Sequence, residues 1–251
     1  MHRIFIGADP RQVVSLTTLI HSITANAKEP VAITPLVFET LPIKRQGLTP
    51  FTYSRFLVPY LCGYEGQALF LDADMLCLGD VSEVFHLGRI DSTRAAYVMQ
   101  DQPTFEWASM ILFNCAHPSN RVLTPEHIED RTTTNLHKIG WLPKHEIGKI
   151  PLEWNVCVPY SYDGREPPAN PKLVHFTQGV PHWWETQDQP YSGQWHKYAA
   201  DACDATHSWW DLMGRSVHAE SRVNALIEKG TVKDYRDYAV KAGLAVQEPA
   251  D

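Results

Sequence analysis

The sequence opens with a strand, a helix and a second strand, and this order constrains the fold more than any other feature. Strand-forming residues cover positions 3–7, and Ala8-Asp9-Pro10 then predicts a loop. Apolar residues recur at steps of three and four over 13–27, which predicts an amphipathic helix ending before Pro30. A second strand, interrupted by prolines, follows at 31–38. Because such a unit forms a right-handed crossover, the chain is expected to build a parallel sheet.

Length and charge limit the function classes. A chain of 251 residues holds one large domain, or one with a small appendage. We expect a catalytic domain at 1–190 and a helical extension, packed on the same domain, at 191–251. Lys and Arg number 22 against 29 Asp and Glu, and the resulting charge of −7 disfavours nucleic acid as a partner.

Apolar runs and cysteines predict the compartment. The longest apolar runs fall well short of the roughly 18–20 residues that span a bilayer, so no transmembrane segment is expected. Asp9 and Arg11 interrupt any signal-peptide core. The five cysteines are scattered and form no Cys-x-x-Cys pair, which disfavours a disulfide framework or a zinc site. These features predict a cytoplasmic protein with reduced thiols.

The stretch 68–74 is the most informative for function, because a buried strand ends there in two carboxylates. Four consecutive apolar residues indicate a strand covered on both faces, and Asp72 and Asp74 follow. Ligands bind at this edge of open α/β sheets. Alternate residues of an extended chain project to the same side, so the two carboxylates can share a cation. Two solvated carboxylates that cap the next turn are the alternative.

A second candidate element ends at His175, after another apolar strand-like run. Gly179 in the following loop allows the backbone to approach a diphosphate, and Trp183 and Trp184 offer an apolar surface for a sugar or base. Two carboxylates and an imidazole suit a divalent cation, and the imidazole shifts the preference from Mg²⁺ towards Mn²⁺. The alternatives are an ordinary core or surface histidine and plain core packing of the tryptophans.

Together these segments resemble the family 8 glycosyltransferases, a retaining group, over residues 4–184. The resemblance implies an α/β GT-A (Rossmann-like) fold, with a mixed, mostly parallel sheet flanked by helices and with C-terminal helices. Segments 107–115 and 146–155 are similar to those of a bacterial-type branch of the family. The family's first strand ends in an aspartate that contacts the nucleotide base, which here implies nucleotide contacts for Ala8 and Asp9.

The same resemblance assigns the remaining donor and metal residues. Residues 53–56 are similar to a segment whose arginine, here Arg55, helps to hold the sugar nucleotide. Residues 71–75 match the Asp-x-Asp motif, which implies that Asp72 and Asp74 bind the metal and that Asp72 and Ala73 contact the donor. The resemblance also implies that His175 completes the metal site and that Gly179 lies at the diphosphate.

Three segments depart from the family pattern. The usual Asn-Ala-Gly, which contacts the donor sugar, is Trp107-Ala108-Ser109 here. The usual Lys-Pro-Trp is Pro181-His182-Trp183, and His182 replaces the lysine charge at the diphosphate only when protonated. His145-Glu146 lies near the place of the family's Asp-Gln segment, so the resemblance gives both residues catalytic roles, with Glu146 stabilising the sugar cation. A surface carboxylate is the alternative for Glu146.

The predicted function is transfer of a hexose from a UDP-sugar to an acceptor hydroxyl, with Mn²⁺ or Mg²⁺, in saccharide or glycoconjugate synthesis. The acceptor is expected to be a saccharide, a lipid-linked saccharide or a protein. One rival is a haloacid dehalogenase-type phosphohydrolase, which uses the first aspartate of Asp-x-Asp as nucleophile. The missing Asp-Asp pair downstream disfavours it. The other rival is a non-catalytic nucleotide-sugar or carbohydrate-binding module.

Overall fold

The computed structural model describes residues 1–101, 106–133, 135–162, 166–182, 185–203, 217–234, 237–238 and 241. The chain divides into two compact units, Met1–Tyr198 and Ala199–Asp251. The expected catalytic domain at 1–190 and the packing of the extension at 191–251 remain predictions. In the described part of the chain, no helix combines the length and the apolar character needed to cross a membrane.

Six strands form the central sheet: β1 (His2–Gly7), β2 (Val31–Leu36), β3 (Gln67–Leu71), β5 (Ala96–Val98), β6 (Met110–Asn114) and β7 (Ile147–Lys149). Their order is β2-β1-β3-β6-β5-β7. Strand β6 is antiparallel to both of its neighbours, and the other pairings are parallel. The mixed, mostly parallel sheet that the sequence predicted is therefore confirmed.

A smaller sheet extends the edge at which β3 ends. It contains β4 (Met75–Cys77), β8 (Val156–Val158) and β9 (Leu173–Phe176), in the order β4-β9-β8. Strand β9 is antiparallel to β4 and parallel to β8. The turn at residues 72–74 therefore links the two sheets.

The described helices are α1 (Val13–Asn26), α2 (Phe51–Ser54), α3 (Val58–Leu61), α4 (Ser82–Ile90), α5 (Pro125–Glu129), α6 (Ser192–Cys203) and α7 (Val217–Glu228). Helix α1 is the predicted crossover between β1 and β2. A 3-10 turn at Arg55–Leu57 separates α2 from α3. The predicted strand at 31–38 ends at Leu36, and Phe38–Thr40 form a 3-10 turn instead.

The central sheet has a separate apolar core on each face. Along β3, Ala68 and Phe70 belong to one core, whereas Leu69 and Leu71 belong to the other. All four side chains are fully buried. Alternation of this kind is what a strand covered on both faces requires, and it confirms the interpretation of this apolar run.

His137 gives the fold a testable dependence on pH. Its Nε2 lies 3.0 Å from the Thr52 carbonyl oxygen, and its ring packs edge-on against Tyr53 and Phe56. Burial and the nearby Arg55 charge lower the pKa of His137 from 6.5 to about 4. Between those values the unfolded chain takes up a proton that the folded chain excludes, so stability should decrease as the pH falls from 6.5 towards 4. We expect a contribution of about 2 kcal/mol, because partial exposure weakens the effect.

Urea unfolding at several pH values between 7 and 4 measures this contribution. The His137→Gln variant should lose less stability on acidification than the wild type. His145→Gln is the matched control, because the His145 side chain is 80% exposed. Identical pH dependence in His137→Gln and the wild type would contradict the prediction.

Candidate active site

The Asp-x-Asp segment lies at the carboxyl end of β3, where the two sheets meet. The Asp72 amide donates to the Ser109 carbonyl oxygen over 3.0 Å, which fixes this turn against the start of β6. The Asp72 side chain is only 12% exposed and that of Asp74 only 20% exposed. Both carboxylates therefore lie at the sheet edge where open α/β sheets bind ligands.

Pairing between β4 and β9 brings His175 to the same point. His175 lies opposite Met75, and the Phe176 amide donates to the Asp74 carbonyl oxygen over 2.9 Å. His175 Nε2 is 3.3 Å from Asp74 Oδ1. Asp72, Asp74 and His175 each offer a ligand atom, and these atoms all lie within 4.8 Å of one another. The structure thus brings together the three residues that the sequence analysis grouped.

Arg55 holds the first aspartate. Its Nη2 lies 3.0 Å from Asp72 Oδ1, and its Nη1 lies 3.3 Å from Asp72 Oδ2. Nη1 also donates to the Ala108 carbonyl oxygen over 2.7 Å. Arg55 is 7% exposed, and its guanidinium lies over the rings of Phe51 and Phe70. Asp72 is therefore oriented by a buried, two-pronged ion pair.

Burial and charge make the site electrostatically unusual. Burial raises the pKa of Asp72 to about 7; Arg55 opposes this shift and Asp74 adds to it. Burial lowers the pKa of His175, but the Asp74 carboxylate outweighs burial and leaves that pKa well above 6.5. Glu106 also lies beside His175, and burial raises its pKa. Three carboxylates thus share two cationic side chains, an imbalance that a divalent cation would relieve.

The donor set fits a metal such as Mn²⁺. Asp74 Oδ1 is buried, and among the described residues it has no polar partner besides His175 Nε2 at 3.3 Å. Two carboxylates and one imidazole are ligands that Mn²⁺ and Mg²⁺ accept in proteins. Glu106 and Cys157 also lie close to His175, but they face its Nδ1, whereas Asp74 faces its Nε2.

Asp9 lies at the same edge of the sheet, because β1 runs parallel to β3 beside it. Its carboxylate accepts the Arg11 backbone N–H over 2.9 Å and caps the 3-10 turn Pro10–Gln12. The Arg11 side chain lies 2.6 Å from Asp9 Oδ2, and this hydrogen bond lowers the pKa of Asp9. Gly7 precedes the turn, and a Cβ there would come 2.4 Å from Phe51 Cγ. A larger residue would displace the loop that carries Asp9.

A cavity of about 170 Å³ opens beside Ala8 and Asp9. Its other walls are mostly apolar and include Val13, Leu16 and Phe38. Asp9 and Glu39 are its acidic residues. A mostly apolar cavity with a few polar groups is suited to a flat, partly polar group such as a nucleotide base.

The loop after β9 continues from His175. Gly179 has a φ of +108°, a conformation that favours glycine, and its carbonyl oxygen accepts the Gln189 side-chain amide. The His182 ring lies 6.4 Å from that of Trp195. Trp183 and Trp184 lie outside the described residues. Gly179 and His182 thus lie in the segment directly after the metal-ligand candidate.

Glu146 and His145 do not lie at this site, which corrects the catalytic roles given to them above. They precede β7, and the ladder register places the start of β7 level with the start of β3. Asp72 instead follows the end of β3, so Glu146 lies at the opposite edge of the sheet. There its Oε2 is 3.9 Å from His117 Nδ1, and the His145 side chain is 80% exposed.

Sequence reasoning missed a layer of polar residues behind His175. Glu106 Oε2 and Cys157 Sγ each lie 3.6 Å from His175 Nδ1. Asn155, fully buried, donates to Ser109 Oγ over 3.0 Å. Each comes from a segment without a strong strand or helix pattern. The one available signal was Glu106 directly before Trp107-Ala108-Ser109, the segment that departs from the family pattern.

Several solved structures resemble this chain in fold. No family model matches the chain. Similar solved structures are the bifunctional glycosyltransferase WbbM, GlyE of Streptococcus pneumoniae TIGR4, and the galactosyltransferase LgtC with donor and acceptor sugar analogs. Their TM-scores are 0.59, 0.60 and 0.55, at 14%, 15% and 13% identity. The matches cover 84%, 79% and 83% of this chain.

Coverage of the matched chains differs. This chain spans 50% of WbbM and 61% of GlyE, but 98% of LgtC. The shared architecture is the GT-A fold of glycosyltransferases. Protein CDI of Arabidopsis thaliana is 35% identical over 221 residues, covering 77% of this chain and 84% of that protein. The chain therefore has a GT-A fold and belongs to the family of protein CDI.

Proposed function

We propose that the protein is a metal-dependent, retaining glycosyltransferase of the family 8 type. It moves a hexose from a UDP-sugar to an acceptor hydroxyl in the cytoplasm, in saccharide or glycoconjugate synthesis. The observation that carries this proposal is the convergence of Asp72, Asp74 and His175 at the ligand-binding edge of the sheet. The cavity beside Asp9, at the same edge of the sheet, supports a nucleotide as the donor's leaving group.

In this proposal, the base and the diphosphate of the UDP-sugar each have an assigned contact. The base occupies the cavity beside Ala8 and Asp9, and the diphosphate lies along the loop at Gly179. A positive Gly179 φ supports that role, since a residue without Cβ allows close backbone approach. His182 adds positive charge to the diphosphate when it is protonated.

Asp72, Asp74 and His175 would hold Mn²⁺ or Mg²⁺, while Arg55 keeps Asp72 in place. The Ala73 side chain is buried in the apolar core, so Ala73 would contact the donor through its backbone. When bound, the cation supplies positive charge for the negative charge that grows on the departing UDP. The bond between the anomeric carbon and the phosphate oxygen breaks, and a bond from that carbon to the acceptor oxygen forms with retention. The proton of the acceptor hydroxyl passes to the departing UDP. The acceptor is a saccharide, a lipid-linked saccharide or a protein.

The alternative hypothesis, a haloacid dehalogenase-type phosphohydrolase, is less well supported. It requires Asp72 as a free nucleophile, whereas Arg55 nitrogens lie 3.0 and 3.3 Å from its two oxygens. The GT-A fold also favours transfer of a sugar over hydrolysis of a phosphate. A binding module without catalysis differs from the proposed enzyme by turnover alone.

Thermal melting with UDP, in the presence and absence of Mn²⁺, tests the proposal. A ligand present at about 100 times its dissociation constant stabilises the folded state by roughly 2.7 kcal/mol. We expect a rise in Tm that needs both UDP and Mn²⁺, because the cation joins the carboxylates to the diphosphate.

The Asp74→Asn variant is the control and should lose the Mn²⁺-dependent part of the rise. A wild-type protein that shows no rise with UDP and Mn²⁺ would contradict the proposal. Where the rise is found, release of UDP from a panel of UDP-sugars then separates an enzyme from a binding module.

A further inference from the structure

The His175 ring lies between two carboxylates on opposite sides. Its Nε2 is 3.3 Å from Asp74 Oδ1, and its Nδ1 is 3.6 Å from Glu106 Oε2. His175 is 3% exposed, and the Glu106 side chain is 12% exposed. The Nε2 side of the ring faces Asp74, whereas Glu106 lies on the Nδ1 side, away from the Asp-x-Asp segment.

The backbone of Glu106 is fixed by hydrogen bonds. Its carbonyl oxygen accepts the Ser109 hydroxyl over 2.7 Å and the Ser109 amide over 3.1 Å. Asn155 in turn donates to Ser109 Oγ over 3.0 Å. Asn155 directly precedes β8, which pairs with the strand that carries His175. Glu106 and His175 are therefore held by neighbouring parts of one framework.

An imidazole that binds a metal through one nitrogen needs its proton on the other. Histidine ligands in proteins usually donate that N–H to a carboxylate, a carbonyl or a water, which fixes the tautomer and the ring orientation. We propose that Glu106 is a positioning residue, which accepts the Nδ1–H of His175 and so presents the Nε2 lone pair to the cation at Asp72 and Asp74. This inference rests on the metal site of the proposed function.

Cys157 is the competing acceptor, because its Sγ lies 3.6 Å from His175 Nδ1, within hydrogen-bond range for sulfur. The same distance to Glu106 Oε2 is that of an ion pair and would shorten when the carboxylate accepts the Nδ1–H. Sulfur is a weak acceptor, whereas a carboxylate is a strong one. The Cys157 thiol is also oriented towards the Asn155 side-chain oxygen, at 3.4 Å, as a donor. Glu106 is therefore the better partner for the imidazole N–H.

Binding of Mn²⁺ alone to the full chain tests the inference. Electron paramagnetic resonance measures the affinity, and spin-echo modulation from ¹⁴N reports whether an imidazole nitrogen contacts the ion. Glu106→Ala should weaken Mn²⁺ binding about 10-fold to 100-fold and remove most of the ¹⁴N modulation. The same loss of modulation is expected for His175→Gln. Glu106→Gln should retain the modulation, because its amide oxygen still accepts the Nδ1–H.

Two further variants complete the test. Glu106→Asp keeps the charge but withdraws the carboxylate by one methylene, so it should also reduce the modulation. It replaces Glu106→Ala if that variant does not fold. Cys157→Ala should keep both the affinity and the modulation.

Retained ¹⁴N modulation in Glu106→Ala and Glu106→Asp overturns the inference, even if the affinity falls, because a lower affinity alone reports only lost charge. Loss of modulation in Cys157→Ala together with its retention in Glu106→Ala assigns the role to the thiol instead. Failure of the proposed metal site has a different signature: the wild type binds no Mn²⁺, or Asp74→Asn binds it equally well. That result overturns both proposals.

Discussion

Replacing Asp74 with Asn is expected to lower metal-dependent turnover of a UDP-sugar by at least about 10²-fold to 10³-fold. The amide keeps the size of the side chain but removes the charge from the buried Oδ1, which lies 3.3 Å from His175 Nε2. With one carboxylate fewer, the site binds a divalent cation less well. Initial rates of UDP release at fixed Mn²⁺ concentration measure the effect.

Asp91→Asn is the matched control for this substitution. Asp91 is paired with Arg94, and its side chain is 36% exposed. It precedes β5, whose start is level with the start of β3, so it lies at the opposite end of the strands from Asp74. Its variant should keep the wild-type rate. An Asp74→Asn protein that retained full activity would overturn the metal assignment.

The second large effect concerns stability. Replacing Arg55 with Met should lower the free energy of unfolding by about 3–5 kcal/mol, because it leaves a buried carboxylate without its cation. Asp72 and the Ala108 carbonyl oxygen both lose their Arg55 partner in this variant. Urea unfolding at pH 8 is the appropriate measurement, because the Asp72 carboxylate of the wild type is charged there. Without Arg55 the pKa of Asp72 rises further, so the folded variant must either bury an unpaired charge or take up a proton, and both cost stability.

Two further variants show how much of the stability loss in Arg55→Met is due to the burial of the ion pair. Arg94→Met removes a partly exposed pair with Asp91 and should cost no more than about 1 kcal/mol. The double variant Arg55→Met/Asp72→Asn should regain part of the loss, because no buried charge is left unpaired. A cost for Arg55→Met as small as that for Arg94→Met would contradict the ion pair's proposed role.

The sequence was informative where a local pattern sufficed. Helix α1 buries one face, which produces its 3.6-residue apolar period, and strand β3 is buried on both faces, which produces its uninterrupted apolar run. Each pattern can be recognised within a single element. The Asp-x-Asp pair and His175 could be grouped because both end apolar runs. The structure adds that the antiparallel β4–β9 ladder brings them together.

Other features depend on long-range pairing that no local pattern reveals. Strands β4, β7 and β8 have three residues each, too short for a periodic signal. Without β7, the direction of the chain at Glu146 could not be inferred, and that residue was placed at the wrong edge of the sheet. Glu106 lies in a segment that is fixed by Ser109, and Ser109 is held in turn by Asn155, 46 residues further along the chain.

The β4–β9 ladder also makes the site depend on an intact smaller sheet. Asp74 lies next to the first residue of β4, whereas His175 is within β9, and the Phe176 amide joins the two segments. An ion held by both side chains bridges two strands that are far apart in the chain. Ion binding and the pairing of β9 with β4 are then thermodynamically coupled. A change that separates β9 from β4 weakens binding of the ion, and the bound ion stabilises the β4–β9 pairing by the same free energy.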